Sequence, residues 1–120
     1  MKSVAFFSMP EEGHFRRLVP LISGVAGEGF TAHVFTHSRF RGQVERAGGQ
    51  FVDLFEKYPI EAADGESLPV PCRYVSFAGH YAGQVFRDLE RLRPSLIVSD
   101  TFAVIGRLAA NRLGIPYVNV

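Results

Sequence analysis

The 120-residue sequence contains no tryptophan, one cysteine and only two lysines. Because Cys72 stands alone, it can form neither an internal disulfide nor a multi-cysteine zinc site, and a reducing cytoplasm fits it. Arginine supplies nearly all the positive charge, and the acidic residues balance it to a net charge of +1. This balance gives no reason to expect a nucleic acid or an anionic membrane surface as a partner.

Long apolar runs and phosphate-binding glycine motifs are also missing. The apolar stretch before Met9 and Pro10 is too short for a signal sequence or a membrane span, and we interpret it as a buried strand. The turn after it carries Glu11 and Glu12 and a single glycine, which makes a poor cradle for a pyrophosphate. The histidines show no metal-ligand spacing. We therefore expect no metal, and no dinucleotide held by this turn.

The sequence does contain short apolar strands that alternate with amphipathic helices. Strands are predicted over residues 4–7, 31–36, 50–54, 95–98 and 116–120. A short helix is predicted over 40–47, and a long irregular loop over 55–72. This order predicts an α/β, doubly wound (Rossmann-like) parallel sheet with strand order 3-2-1-4-5 and helices on both faces. We expect one domain over 1–120 that is incomplete, because no closing helix follows the fifth strand.

The predicted strand order brings His14 and Asp100 to one crevice. His14 follows the first strand and Asp100 the fourth, and these strands are neighbours at the switch point where such sheets bind ligands. Since Pro20 is tolerated only near a helix start, His14 should lie in or just before the first turn. A histidine backed by a carboxylate can act as a general base. The alternative for His14 is a loop histidine that bonds to the backbone. The alternative for Asp100 is a helix N-cap, a role that asparagine would fill equally well.

Two runs resemble the GT-B-fold glycosyltransferases that use nucleotide sugars, the family of the macrolide, natural-product and UDP-glucuronosyl-type enzymes. The first is Gly-His-Phe-Arg-Arg-Leu-Val-Pro-Leu-Ile from Gly13 to Ile22, and the second extends from Pro94 to Pro116. The resemblance implies that His14 deprotonates an acceptor hydroxyl while Asp100 steadies the imidazolium. The sugar would then be transferred with inversion.

The resemblance further implies that residues 1–120 are the N-terminal, acceptor-binding domain of such an enzyme. The donor would be a UDP- or dTDP-linked sugar, a co-substrate rather than a cofactor, held by a C-terminal domain or by a second chain. Without that partner the chain should be inactive. The acceptor should be a small, apolar molecule, and the residues expected to bind it are Gly13, Phe15, His37, Tyr74, Thr101 and Phe102.

Two other functions remain open at this stage. One is a GT-B nucleotide-sugar 2-epimerase, which would need further acids and arginines that the sequence does not identify. The other is a non-catalytic, flavodoxin-like binding module. A phospho-receiver would need a lysine at the end of the fifth strand, yet the only lysines are Lys2 and Lys57. A cobalamin module would need Asp-x-His-x-x-Gly, and the residues at the first and last of these positions are Glu12 and Arg17.

Overall fold

The computed structural model describes residues 2–59 and 68–120. Helices separate successive strands in this part of the chain, and one 3₁₀ turn over Ser38–Phe40 precedes the second helix. In chain order the elements are β1 (Ser3–Phe7), α1 (Glu12–Gly27), β2 (Thr31–Thr36), α2 (Arg41–Arg46), β3 (Gln50–Asp53), α3 (Leu54–Lys57), α4 (Val70–Leu92), β4 (Leu96–Ser99), α5 (Val104–Leu113) and β5 (Tyr117–Asn119).

The five strands form one parallel sheet in the order β3-β2-β1-β4-β5, which confirms the predicted order 3-2-1-4-5. Phe7 at the end of β1 is in register with Phe35 on one side and with Ser99 on the other. The carboxyl ends of β1, β2 and β4 are therefore level. The turns that leave these strands consequently share one edge of the sheet.

Both faces of the sheet are covered, and for this reason the strands are apolar on both sides. Phe7 and Ile97 belong to the core cluster that contains the buried residues of α4 and α5. Phe6 and Val98, their neighbours along the strands, belong to the cluster formed with α1 and α2. This alternation follows from the two-residue period of a strand.

The prediction that Pro20 lies near the start of its helix is wrong, because α1 begins eight residues earlier at Glu12. Pro20 is exposed, whereas Phe15, Leu18 and Ile22 on the same helix are fully buried. Proline removes one main-chain hydrogen bond, and burial of three large side chains outweighs that loss. His14 nevertheless lies in the first turn of α1, as expected.

The irregular loop predicted over 55–72 is helical at both ends. Asp53 starts α3 by accepting the N–H groups of Phe55 and Glu56 through the same oxygen, Oδ1, at 3.1 and 2.9 Å. Pro69 immediately precedes α4, where the missing N–H of proline removes no hydrogen bond of the helix. Residues 60–67 of this predicted loop lie outside the described residues. The sequence therefore underestimated how far the helices extend into this segment.

Close packing of α5 on the sheet depends on Gly106. A Cβ at this position would lie 2.2 Å from the Ser99 hydroxyl oxygen and 3.0 Å from the Phe7 ring. We expect Gly106→Ala to lower the free energy of unfolding by about 1–3 kcal/mol, because α5 must move away from the sheet. Urea denaturation measures this change.

The matched control is Gly83→Ala, at an exposed glycine in α4 whose added Cβ would meet no atom within 4 Å. This variant should be neutral or more stable by about 0.4–1 kcal/mol, because alanine reduces the freedom of the unfolded chain. Equal effects at the two positions would contradict the packing argument.

Candidate functional site

The candidate site lies where the turns after β1 and β4 meet. Asp100, one residue past β4, is 1 % exposed, and its N–H donates to the carbonyl of Phe7 at 3.2 Å. The next residue after Phe7, Ser8, donates its own N–H to the carbonyl of Phe35 on β2 at 3.1 Å. These main-chain bonds hold the β1 turn between its two neighbours at the carboxyl edge of the sheet.

His14 and Asp100 lie side by side, as the strand order predicts. The distance between His14 Nδ1 and Asp100 Oδ1 is 3.5 Å, somewhat longer than a usual N–H···O hydrogen bond. Nδ1 is buried and makes no strict hydrogen bond within residues 2–59 and 68–120. The His14 side chain is 27 % exposed, and this exposure belongs to atoms other than Nδ1.

Both carboxylate oxygens of Asp100 accept main-chain hydrogen bonds. Oδ1 accepts the N–H of Phe102 at 2.7 Å, and Oδ2 accepts the N–H of Met9 at 3.1 Å, 91 positions away. Burial raises the pKa of the Asp100 carboxyl, while the two N–H donors and the nearby His14 act in the opposite direction. The carboxylate thus joins the two turns and faces the imidazole at the same time.

The alternative role expected for Asp100, that of helix N-cap, is wrong in detail. The residue before α5 is Ala103, and no side chain caps this helix. Asp100 instead closes the turn that leads to the helix, because its main-chain oxygen accepts the N–H of Ala103 at 3.0 Å. Among the N–H groups that immediately follow Asp100, that of Phe102 donates to its side chain.

The imidazole of His14 stacks on an aromatic ring. The centroids of His14 and Phe102 are 4.2 Å apart, with an angle of 25° between the planes. Tyr74, which is 4 % exposed, lies against Phe102 with a centroid distance of 5.8 Å. The Tyr74 hydroxyl donates to Glu11 Oε1 at 2.8 Å. Burial, reinforced by the Glu11 carboxylate, raises the pKa of Tyr74, so its hydroxyl keeps its proton.

Glu11 is the residue at this site that sequence reasoning missed. From the sequence alone, its carboxylate is a reason against a pyrophosphate in the first turn and gives no sign of a tyrosine partner. No local pattern connects Glu11 with Tyr74, which lies 63 positions further along the chain. The position of Glu11, two residues before a glycine-histidine pair, indicates a tyrosine partner only when the approach of α4 to this turn is known.

The other residues predicted to bind an acceptor are placed differently. Gly13 and Thr101, the sequence neighbours of His14 and Asp100, are both exposed. A Cβ added at Gly13 would meet no neighbouring group within 4 Å. Phe15 is fully buried and stacks on Phe40 with a centroid distance of 4.3 Å. A buried core ring cannot line an open crevice, so the prediction that Phe15 binds the acceptor is wrong.

His37 lies at the end of β2 but lines a cavity of its own. Its Nδ1 accepts the N–H of Arg39 at 3.1 Å, and its ring is 5.9 Å from the ring of Phe55. The cavity has a volume of about 490 Å³ and includes Arg41 and Asp53. The guanidinium of Arg39 also bonds to the carbonyl of Pro10, so this region adjoins the turn that leads to His14.

The described residues contain no group of three metal-ligating side chains. In the same part of the chain, no helix is both long enough and apolar enough to cross a membrane.

No family model and no curated protein matches the sequence, whereas solved structures match its fold. The glycotransferase of kitacinnamycin superimposes with a TM-score of 0.80 at 20 % identity, over 98 % of this chain and 30 % of that one. The calicheamicin glycosyltransferase CalG4 gives 0.75 at 26 % identity, over 99 % and 30 %. The spinosyn rhamnosyltransferase SpnG gives 0.76 at 20 % identity, over 98 % and 34 %.

The chain has the fold of part of a GT-B glycosyltransferase. This confirms the resemblance that the two sequence motifs indicated. The chain spans about a third of the length of the solved glycosyltransferases that it matches.

Because each carboxylate oxygen of Asp100 accepts a main-chain N–H, Asp100→Asn should be less stable than an N-cap role alone would predict. Asparagine has one carbonyl oxygen, so its NH₂ group would face the N–H of Met9 or of Phe102. We expect this variant to lose about 1–3 kcal/mol of unfolding free energy, the cost of a buried donor left without a partner. Urea denaturation at neutral pH measures the loss.

Asp53→Asn is the matched control. At Asp53 a single oxygen accepts both N–H groups, so asparagine can replace it with little change in stability. If Asp100→Asn were as stable as Asp53→Asn, the second hydrogen bond of Asp100 would not contribute.

Proposed function

We propose that this chain is the acceptor-binding part of an inverting glycosyltransferase in which His14 is the general base and Asp100 its partner. The observation that carries the proposal is the 3.5 Å approach of His14 Nδ1 to the buried Asp100 carboxylate. The pair lies at the carboxyl ends of β1 and β4, in a sheet with a GT-B glycosyltransferase fold. Ligands of open α/β sheets bind at this edge.

The proposal gives each ring nitrogen of His14 one role. Because Asp100 faces Nδ1, it favours the neutral tautomer that carries the proton on Nδ1 and leaves a lone pair on Nε2. Nε2 of His14 is therefore the atom proposed to take the proton of the acceptor hydroxyl.

The proposed reaction is a single displacement. As Nε2 removes the proton, the hydroxyl oxygen bonds to the anomeric carbon of the donor sugar. The bond from that carbon to the nucleoside diphosphate breaks on the opposite side, and its electron pair leaves with the diphosphate. Attack opposite to the leaving group inverts the anomeric centre. The imidazolium that forms is stabilised by the Asp100 carboxylate.

Two features of the solved structures support the proposed substrates. SpnG has been solved with thymidine diphosphate and with spinosyn aglycone. We therefore propose a nucleoside-diphosphate sugar as donor and a small, apolar hydroxyl compound as acceptor. Since the chain matches about a third of each glycosyltransferase, we also propose that a separate domain or a second chain binds the donor.

His14→Ala tests the base directly in a protein that joins this chain to its donor-binding part. We expect kcat to fall by about 10²–10⁴-fold, because a positioned base contributes that much, while donor affinity is retained. The control is His80→Ala, at an exposed histidine on α4, which should keep normal turnover. Near-normal turnover of His14→Ala, or a product with retained anomeric configuration, would refute the mechanism.

The proposal that this chain binds the acceptor while a separate part binds the donor is tested by comparing two proteins. One is the 120-residue chain alone, and the other is the chain joined to the proposed donor-binding part. We expect the chain alone to bind the acceptor, seen as shifts of its NMR signals, and to transfer no sugar. Transfer should appear only when the donor-binding part is present. Sugar transfer by the chain alone would show that it binds both substrates, and binding without any transfer in either form would favour a non-catalytic module.

A further inference from the structure

The side chain of Glu11 has an unusual use for a residue at the start of a helix. Glu11 precedes α1 in an extended conformation, and its carboxylate caps no N–H group of that helix. Instead Oε1 accepts the hydroxyl of Tyr74 at 2.8 Å. Tyr74 belongs to the beginning of α4, so this bond connects α4 to the turn that carries His14.

Tyr74 contacts His14 through one intermediate ring. Phe102 lies 5.8 Å from Tyr74 and stacks on His14 at 4.2 Å, measured between centroids. The main chain of Phe102 is held by Asp100 Oδ1 at 2.7 Å. Phe102 is therefore fixed at its N–H by the proposed partner of the base and supported at its ring by Tyr74.

The orientation of the imidazole needs such support. Nδ1 of His14 is 3.5 Å from Asp100 and makes no strict hydrogen bond within the described residues. Stacking on Phe102, with ring centroids 4.2 Å apart, then limits rotation of the imidazole about its Cβ–Cγ bond. If Phe102 moved, the ring could turn away from Asp100, and the lone pair on Nε2 would no longer face the acceptor.

We propose that Glu11, Tyr74 and Phe102 form a positioning clasp that orients the imidazole of His14 for proton transfer. The three are positioning residues, because they act through His14 and need not touch the reacting atoms. The proposal rests on the proposed function, which it deepens by assigning Glu11 and Tyr74 to the same site. The competing interpretation is that Glu11 only provides a partner for a buried tyrosine hydroxyl.

Tyr58 provides a matched control for this competing interpretation. It is 6 % exposed, close to the 4 % of Tyr74, and its hydroxyl donates to the carboxylate of Asp88 at 2.6 Å. Its ring lies against Tyr81, at a centroid distance of 5.3 Å. Tyr58→Phe and Tyr74→Phe therefore each remove one buried hydroxyl that is bonded to a carboxylate.

The experiment compares the two variants by steady-state kinetics in the active protein and by NMR of the histidine ring protons. We expect similar losses of thermal stability from both. Only Tyr74→Phe should lower kcat, by about 10–10²-fold, because small misplacements of a catalytic group have effects of this size. The acceptor KM should change much less. Only Tyr74→Phe should shift the His14 ring resonances. They depend on the ring current of Phe102, which loses its support in this variant alone.

Two changes at Glu11 test the hydrogen bond itself. Glu11→Gln keeps an oxygen that can accept the Tyr74 hydroxyl, so it should retain most of the kcat. Glu11→Ala should lose as much as Tyr74→Phe, and the double variant should lose no more than either, because the two residues act as one unit. Should Tyr74→Phe fail to fold, the comparison of Glu11→Gln with Glu11→Ala decides the question.

If Tyr74→Phe matches Tyr58→Phe in both kcat and ring resonances, the bond is only structural and the clasp is refuted. A change in acceptor KM alone would make Tyr74 a binding residue and would also refute the positioning role. If His14→Ala keeps full activity, the proposed base fails instead. The NMR comparison needs no turnover, so it still decides whether the clasp orients the His14 ring.

Discussion

The arrangement of the site depends on one buried carboxylate. Asp100 accepts the N–H of Met9 from the turn after β1 and the N–H of Phe102 from the turn after β4. The first of these turns leads to His14 and the second contains Phe102, and without Asp100 their two main-chain donors would lose these partners. The same carboxylate faces His14 at 3.5 Å. Structure and proposed chemistry therefore share a single side chain.

This sharing has an energetic consequence. Burial disfavours ionised Asp100 and raises its pKa, while the two main-chain donors favour the charged form. In the proposed reaction, the imidazolium that forms on His14 would face this carboxylate, which the two turns already hold in place. The fold supplies such a carboxylate at the junction of β1 and β4.

The position of α4 is set by polar contacts at two places. Near its start, Tyr74 donates to Glu11, and further along Asp88 accepts the Tyr58 hydroxyl and pairs with Lys57 at 3.0 Å. Between them, buried apolar residues of α4 pack against the sheet. Hydrogen bonds to carboxylates are directional, whereas apolar packing is not, so these contacts specify where the helix lies along the edge.

The sequence by itself determined the alternation of strands and helices, the strand order and the pairing of His14 with Asp100. Those features follow from local periodicity and from the handedness of crossovers, which act within short segments. Tertiary structure decided that Phe15 belongs to the core, that Asp100 uses both oxygens and that Glu11 meets Tyr74. Each of these depends on the docking of helices onto a completed sheet. Local patterns place the ends of neighbouring strands at one edge, but they do not record which hydrogen bonds the residues there form across 63 or 91 positions.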